Sequence, residues 1–143
     1  CDIRIASEKA KFGSLFILRG LVPDSGMTYY LPRLVGTSKA LELMFTGELF
    51  DATEAERLGI VSRVLPPDEL MDAVRELAAK IVQQAPIAIE LTKRLVYWSM
   101  IEDLSRHIDW ETYAQQLCFG TEDHRESVRA FLEKRAQPPF RRR

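Results

Sequence analysis

Every β-prone run in this 143-residue chain lies before Pro66, and after it come four consecutive helical patterns with no strand between them. Sheets need hydrogen-bonded partners, so a few short runs must pair across long sequence distances or with protein outside the chain. The runs are Asp2 to Ala6, which alternates polar and apolar residues, Phe12-Gly13 to Leu18, and the β-branched Ile60 to Leu65. Between them lie turn signals and helix starts. Gly20-Leu21-Val22-Pro23-Asp24-Ser25-Gly26 reads as a turn whose Asp24 and Ser25 suit capping of a helix over Met27 to Leu31, which Pro32 should limit. Thr37 suits capping of a helix that carries Leu41, Met44 and Phe45 and stops at Gly47. Asp51-Ala52-Thr53-Glu54 reads as a capping box for a short helix ended by Gly59.

The second half is helical throughout. Pro66-Pro67-Asp68-Glu69 opens a long helix striped by Leu70, Val74, Leu77 and Ile81, with acids in its first turn. Pro86 sits at a favoured first position for a helix striped by Ile87, Leu91, Leu95 and Trp98. A third helix, from about Glu102 to Leu117, carries Leu104, Ile108, Trp110, Tyr113 and Leu117, and a last one runs from about Thr121 to Arg135 with Val128, Phe131 and Leu132 on one face. In that last helix Glu122 and Asp123 near the start and Lys134 and Arg135 near the end suit the macrodipole without any function. So many apolar stripes beside so little sheet point to packing completed by other protein. An ordinary helical bundle is the alternative.

Charge and cysteine usage exclude several classes. A formal net charge of -1 with interspersed signs offers no footprint for nucleic acid or an anionic membrane, and Arg141-Arg142-Arg143 reads as a short solvated tail. Two cysteines, Cys1 and Cys118, make no disulfide framework, and no Cys/His cluster has metal-ligand spacing, so a reducing, cytoplasmic setting and no metal are expected. No apolar stretch approaches the roughly 20 residues that span a bilayer. His107 and His124 lack ligand-spaced partners and read as surface or core residues. A strand-like opening with no Met reads as cut from a longer polypeptide.

Five landmarks then fall in order along the chain. They are Cys1-Asp-Ile-Arg-Ile-Ala-Ser-Glu-Lys-Ala-Lys-Phe-Gly13, Gly20-Leu-Val-Pro-Asp-Ser-Gly26, Leu31-Pro-Arg-Leu-Val-Gly36, Ala40-Leu-Glu-Leu-Met with Thr46-Gly47 and Ala52 to Val61, and Phe131-Leu-Glu-Lys-Arg135. Together they resemble the crotonase (enoyl-CoA hydratase/isomerase) superfamily, in its C-terminal half. Pro23-Asp24-Ser25-Gly26 is most similar in motif to the phenylacetate-pathway enoyl-CoA isomerases.

The resemblance implies an α/β fold, a spiral of ββα turns, with residues 1–66 as the end of the spiral core and 67–143 as a C-terminal helical oligomerisation region. It implies an N-terminal half of the protomer that carries the oxyanion hole, and a homotrimer or a dimer of trimers. The substrate would be an acyl-CoA, with coenzyme A carried by the substrate and no other cofactor. Family hydratases hold water between two Glu side chains, and the position of the second is Phe16 here. Phe16 can neither accept a proton nor orient water, whereas Asp24 stands where several family isomerases place their carboxylate. The resemblance therefore implies Asp24 as the catalytic base of double-bond migration, buried against Phe16, Leu21 and Val22, with Pro23 completing the acyl pocket. Phe131 and Lys134 would approach the CoA nucleotide, Lys supplying a point charge suited to phosphate. The bland readings are Asp24 as a helix cap and Lys134 as a solvated terminal cation. Hydration, an Asp-nucleophile hydrolase or dehalogenase, and a non-catalytic CoA-binding or assembly piece remain the functional alternatives.

Overall fold

The computed structural model describes all 143 residues, which form two compact units, Cys1–Arg75 and Glu76–Arg143. In the first unit, strand β1 (Ile5–Ser7) pairs in parallel with β4 (Arg63–Leu65), placing Ile5 beside Arg63 and Ser7 beside Leu65. Strand β2 (Lys11–Phe12) pairs antiparallel with β3 (Phe50–Asp51), and the rings of Phe12 and Phe50 stack with centroids 5.8 Å apart. Helix α3 (Ala52–Arg57) follows β3 directly and brings Ala52 and Ala55 against Ala6 and Val61, the buried cluster onto which Phe12, Phe50 and Val64 pack. Three of those four buried residues are alanines, so the backbones approach closely.

Only part of the expected capping box forms at α3. The Asp51 carboxylate accepts from the Glu54 N–H at 2.9 Å, but the Glu54 side chain turns to Arg57, two contacts of 2.6 Å, instead of reaching back to Asp51. That hydrogen-bonded guanidinium holds the Glu54 carboxyl below its ordinary range.

The run from Gly13 to Leu18 is not a strand. Pairing stops at Phe12, and Leu15–Arg19 coils into a 3₁₀ helix closed by left-handed Gly20. At the point where pairing stops, Gly13 passes so close to Glu48 and Leu49 that a Cβ would stand 2.8 Å from the Leu49 side chain and 3.1 Å from the Glu48 carbonyl oxygen, an approach that glycine alone permits. The C-terminal expectation is also shortened, since Ile60 to Ser62 is bend and only Arg63–Leu65 is extended.

Helix α1 (Met27–Val35) runs through Pro32, which forgoes only the bond its N–H would give Thr28, and it packs on α2 (Thr37–Thr46). The Arg33 guanidinium lies 3.6 Å over the Tyr29 ring and donates to the Tyr29 carbonyl at 2.8 Å, bracing the turn around the proline. Thr37 is the first helical residue of α2 and caps nothing. Gly36 precedes it, and Gly47 ends the helix in the left-handed conformation as expected. Ala40, Leu43 and Met44 of α2 are buried.

Helix α4 (Leu70–Val82) starts after a turn at Pro66, later than its acids predict. Pro86 is the first residue of α5 (Pro86–Trp98), whose stripe of Ile87, Leu91, Leu95 and Trp98 is half-buried. Helix α6 (Leu104–Phe119) is capped by Asp103, which accepts from Arg106 N–H at 3.0 Å. Its covered face is not the expected one. His107, Trp110, Ala114 and Cys118 are half-buried, with Trp110 5.2 Å from Trp98, while Leu104, Ile108, Tyr113 and Leu117 are exposed. Helix α7 (Glu122–Leu132) is capped by Thr121 and ends three residues before Arg135. In the second unit Ala130 is the only buried apolar residue.

Candidate active site

The segment from Phe12 to Met27 contains one carboxylate, Asp24, and the local backbone determines where it points. The 3₁₀ helix folds the chain back so that the Phe16 carbonyl accepts from both Gly20 N–H and Leu21 N–H, the latter at 3.1 Å. Phe16 and Leu21 are thus held in one hydrogen-bonded loop. Pro23 is half-buried, and Asp24 follows at the first position of a tight turn.

That turn is the local reason Asp24 does not cap α1. Ser25 (φ 52°) and Gly26 (φ 81°) are successive left-handed residues, and the Met27 N–H donates to the Asp24 carbonyl at 2.9 Å, the geometry of a type I′ turn. Gly26 occupies the cap position with no side-chain bond to the helix. The Asp24 carboxylate instead accepts from the Ser25 hydroxyl at 3.0 Å and faces solvent. The expected burial is absent, because Leu21 is 57% and Val22 78% exposed, so within this chain nothing covers the carboxylate from the apolar side. Ser25 escaped the sequence reading as a partner of Asp24. Its signal is the Ser-Gly pair before the helix, which favours two positive φ values as readily as a cap.

Phe131 and Lys134 lie in the other unit, at the end of α7, so the site residues fall in two groups. Lys134 N–H donates to the Phe131 carbonyl and Arg135 N–H to the Ala130 carbonyl, and Lys134 has φ 54°. This is a Schellman ending with lysine at the position that glycine usually fills. Phe131 is 81% exposed. Arg135 contacts Glu126 at 2.5 Å and Glu133 at 2.7 Å, so both of these carboxylates already have a cationic partner. No group of three or more His, Cys, Asp or Glu side chains is arranged to hold a metal ion.

The family model described as enoyl-CoA hydratase/isomerase matches residues 1–143, the whole chain. The chain belongs to the enoyl-CoA hydratase/isomerase family. It is similar to the short-chain-enoyl-CoA hydratase of Clostridium acetobutylicum, 42% identical over 143 residues, covering all of this chain and 55% of that protein. It is also similar to a short-chain-enoyl-CoA hydratase of Clostridioides difficile, 44% identical over 131 residues, with 92% of this chain and 84% of that protein covered. Among solved structures, the enoyl-CoA hydratase of Bacillus anthracis superposes on the whole chain with a TM-score of 0.95 at 36% identity, again over 55% of its own length. The crotonase fold class and the placement in the C-terminal part of that fold stand on these matches. The chain spans about half the length of most of these relatives, the Clostridioides difficile protein excepted.

The type I′ turn yields a test independent of activity. In the full-length protein, Gly26→Ala should cost about 1–2 kcal/mol, since an L-residue must adopt φ 81° there with its Cβ about 3.0 Å from the Tyr30 ring. Ser25→Gly should leave stability within about 0.5 kcal/mol of the parent, because the relief of its left-handed backbone offsets the added freedom of the unfolded chain. Urea unfolding reads both, and equal losses would show that Asp24 is not held by this turn.

Proposed function

We propose that this chain is the part of an acyl-CoA-processing enzyme that supplies the proton-transferring carboxylate, and that the reaction is double-bond migration in an enoyl-CoA. The supporting observation is that Asp24 is the one carboxylate between Phe12 and Met27, while Phe16 stands where a hydratase of the family would keep its second Glu. One carboxylate suffices for migration. It takes a proton from one carbon of the acyl chain, the thioester carbonyl becomes an enolate, and the same carboxylate returns the proton two carbons away. Hydrogen-bond donors aimed at the enolate oxygen stabilise that intermediate, and in this family they belong to protein beyond this chain. Asp24 begins exposed, with Oδ1 held by Ser25 and Oδ2 open to meet the substrate, and an acyl chain laid over Leu21 and Val22 would exclude water from the carboxylate.

Hydration is the second reading, and it has its own support, since both clostridial relatives carry hydratase in their names. It requires water activation with Phe16 in place of a carboxylate. Asp24→Asn keeps the side chain's shape and its bond to Ser25 while removing the base, so isomerisation of 3-enoyl-CoA by the full-length protein should fall about a hundredfold or more with folding intact. Unchanged isomerisation in the variant, or rapid hydration without isomerisation in the parent, would favour the second reading.

Lys134 is proposed to meet the nucleotide of coenzyme A. A left-handed lysine is maintained against the preference for glycine at that position, which directs attention to what its side chain does. Lys134→Ala should weaken binding of coenzyme A by about three- to tenfold at low salt and by less at high salt, as calorimetric titration would register.

Assembly through the helical half completes the proposal. Leu104, Leu117, Phe131 and Leu132 are each more than 60% exposed, an apolar surface suited to neighbouring copies in a trimer or a pair of trimers. The full-length protein should sediment as a trimer or hexamer at micromolar concentration, and a monomer would remove this part.

A further inference from the structure

The arginine-rich terminal run is not a solvated tail. Asp123, only 9% exposed, receives it, with Arg141 N–H donating to Oδ1 at 2.8 Å, Arg142 N–H to Oδ2 at 2.8 Å and Arg143 N–H to Oδ2 at 3.4 Å. The Asp123 N–H, a first-turn donor that α7 cannot satisfy internally, donates to the Arg143 carbonyl at 2.9 Å. Two side-chain pairs flank the clasp, Arg143 with Glu122 at 3.0 Å and Arg142 with Glu90 of α5 at 2.7 Å. The chain therefore leaves the end of α7 at Lys134 and is fastened again at the start of the same helix. Residues 133–140 form a loop tied at both ends, whose first turn is the strained left-handed Lys134.

We propose that Asp123 is a positioning residue that fastens the terminal arm as a strap and so fixes the backbone that presents Lys134 to the CoA nucleotide, an inference that rests on the nucleotide-binding reading of Lys134. Two observations carry it. A buried carboxylate spends its lone pairs on three successive backbone N–H groups, far more than the helix dipole requires of an acid at that position. The other is that glycine's usual place at the helix end is taken by a lysine, and that residue is where the arm fastened at Asp123 begins. The acidic start of α7 is thus specific in a way that charge pattern alone does not reveal. Glu122 and Asp123 are sequence neighbours of the same charge, yet only the second is buried and bound to the arm's backbone.

The test uses the full-length protein and two ligands, coenzyme A itself and an acyl thioester of N-acetylcysteamine, which keeps the reacting thioester and lacks the nucleotide. Asp123→Asn loses the charge-assisted acceptance, and Arg142→Pro breaks the strap from its other side without touching α7. Proline has no N–H and cannot take the φ of 59° found there, whereas Arg142→Gly keeps the N–H and suits that conformation. Asp123→Asn and Arg142→Pro should each weaken coenzyme A by about three- to tenfold while leaving kcat/KM for the N-acetylcysteamine thioester within about twofold, and neither should add much to Lys134→Ala. Arg142→Gly should bind coenzyme A more tightly than Arg142→Pro.

Parent-like affinity in Asp123→Asn and Arg142→Pro, with loss in Lys134→Ala, would overturn the strap and leave the lysine's role standing. Equal losses for both ligands would overturn it as well, by making the clasp a general support of the fold. Parent-like affinity in Lys134→Ala would overturn the nucleotide reading and the strap's purpose with it. Should Asp123→Asn fail to fold, the contrast between proline and glycine at 142 decides alone.

Discussion

The parallel pairing of β1 with β4 is the interaction on which the first unit depends. Parallel strands cannot be joined by a tight turn, so everything from Glu8 to Ser62 becomes a crossover between them. The length of that crossover costs little, since doubling a loop adds only about 0.6 kcal/mol of closure entropy, and the ends are fastened well. The Ser62 N–H and hydroxyl both donate to the Arg4 carbonyl at 2.8 Å, Glu8 N–H donates to Leu65 at 2.9 Å, and the Arg4 guanidinium donates to the Ile60 carbonyl. The 3₁₀ helix, the type I′ turn, α1 and α2 all hang within this closed span, so the place of Asp24 is set by a pairing between two strands that are both remote from it in sequence, β1 before it and β4 after it.

What could be read from the residues follows how local each decision is. Pro86 at a first helical position and Gly47 at a helix end were legible because the conformation they impose belongs to the residue itself. Gly13 was not, because the steric limit it relieves comes from Leu49 and Glu48, neighbours only after β2 and β3 have paired. Pro32 gave the wrong answer by the same logic, since one lost bond weighs less than the packing of α1 on α2. At the candidate site the residue types were legible and the turn was not. Asp24 and Ser25 satisfy the composition of a helix cap and of a type I′ turn equally, and Gly26 as the next residue settles it for the turn.

In the second unit the ambiguity is of another kind. Helix α6 has apolar residues on two faces, and the stripe that looks more continuous in sequence, from Leu104 to Leu117, is the exposed one. Trp110 belongs to both readings, since it lies in the expected stripe and packs, tilted, against Trp98 on the covered side. Amphipathic spacing finds a face that will be buried by something, and it does not distinguish α5 from a partner that is elsewhere. The same holds for Asp123, where an acid near a helix start was legible and its engagement by residues 141–143 was not.

On the nucleotide-binding role proposed for Lys134, lysine at the left-handed end of α7 sets thermal stability against ligand affinity at a single codon. Glycine there would remove a backbone penalty of about 1 kcal/mol, and it would also remove the cation. A laboratory selection for heat resistance alone should therefore drift toward glycine at position 134, whereas one that also demands growth on an acyl substrate should hold the lysine and recover stability elsewhere. Codon frequencies at 134 in two such libraries would then measure whether that left-handed lysine is kept for binding.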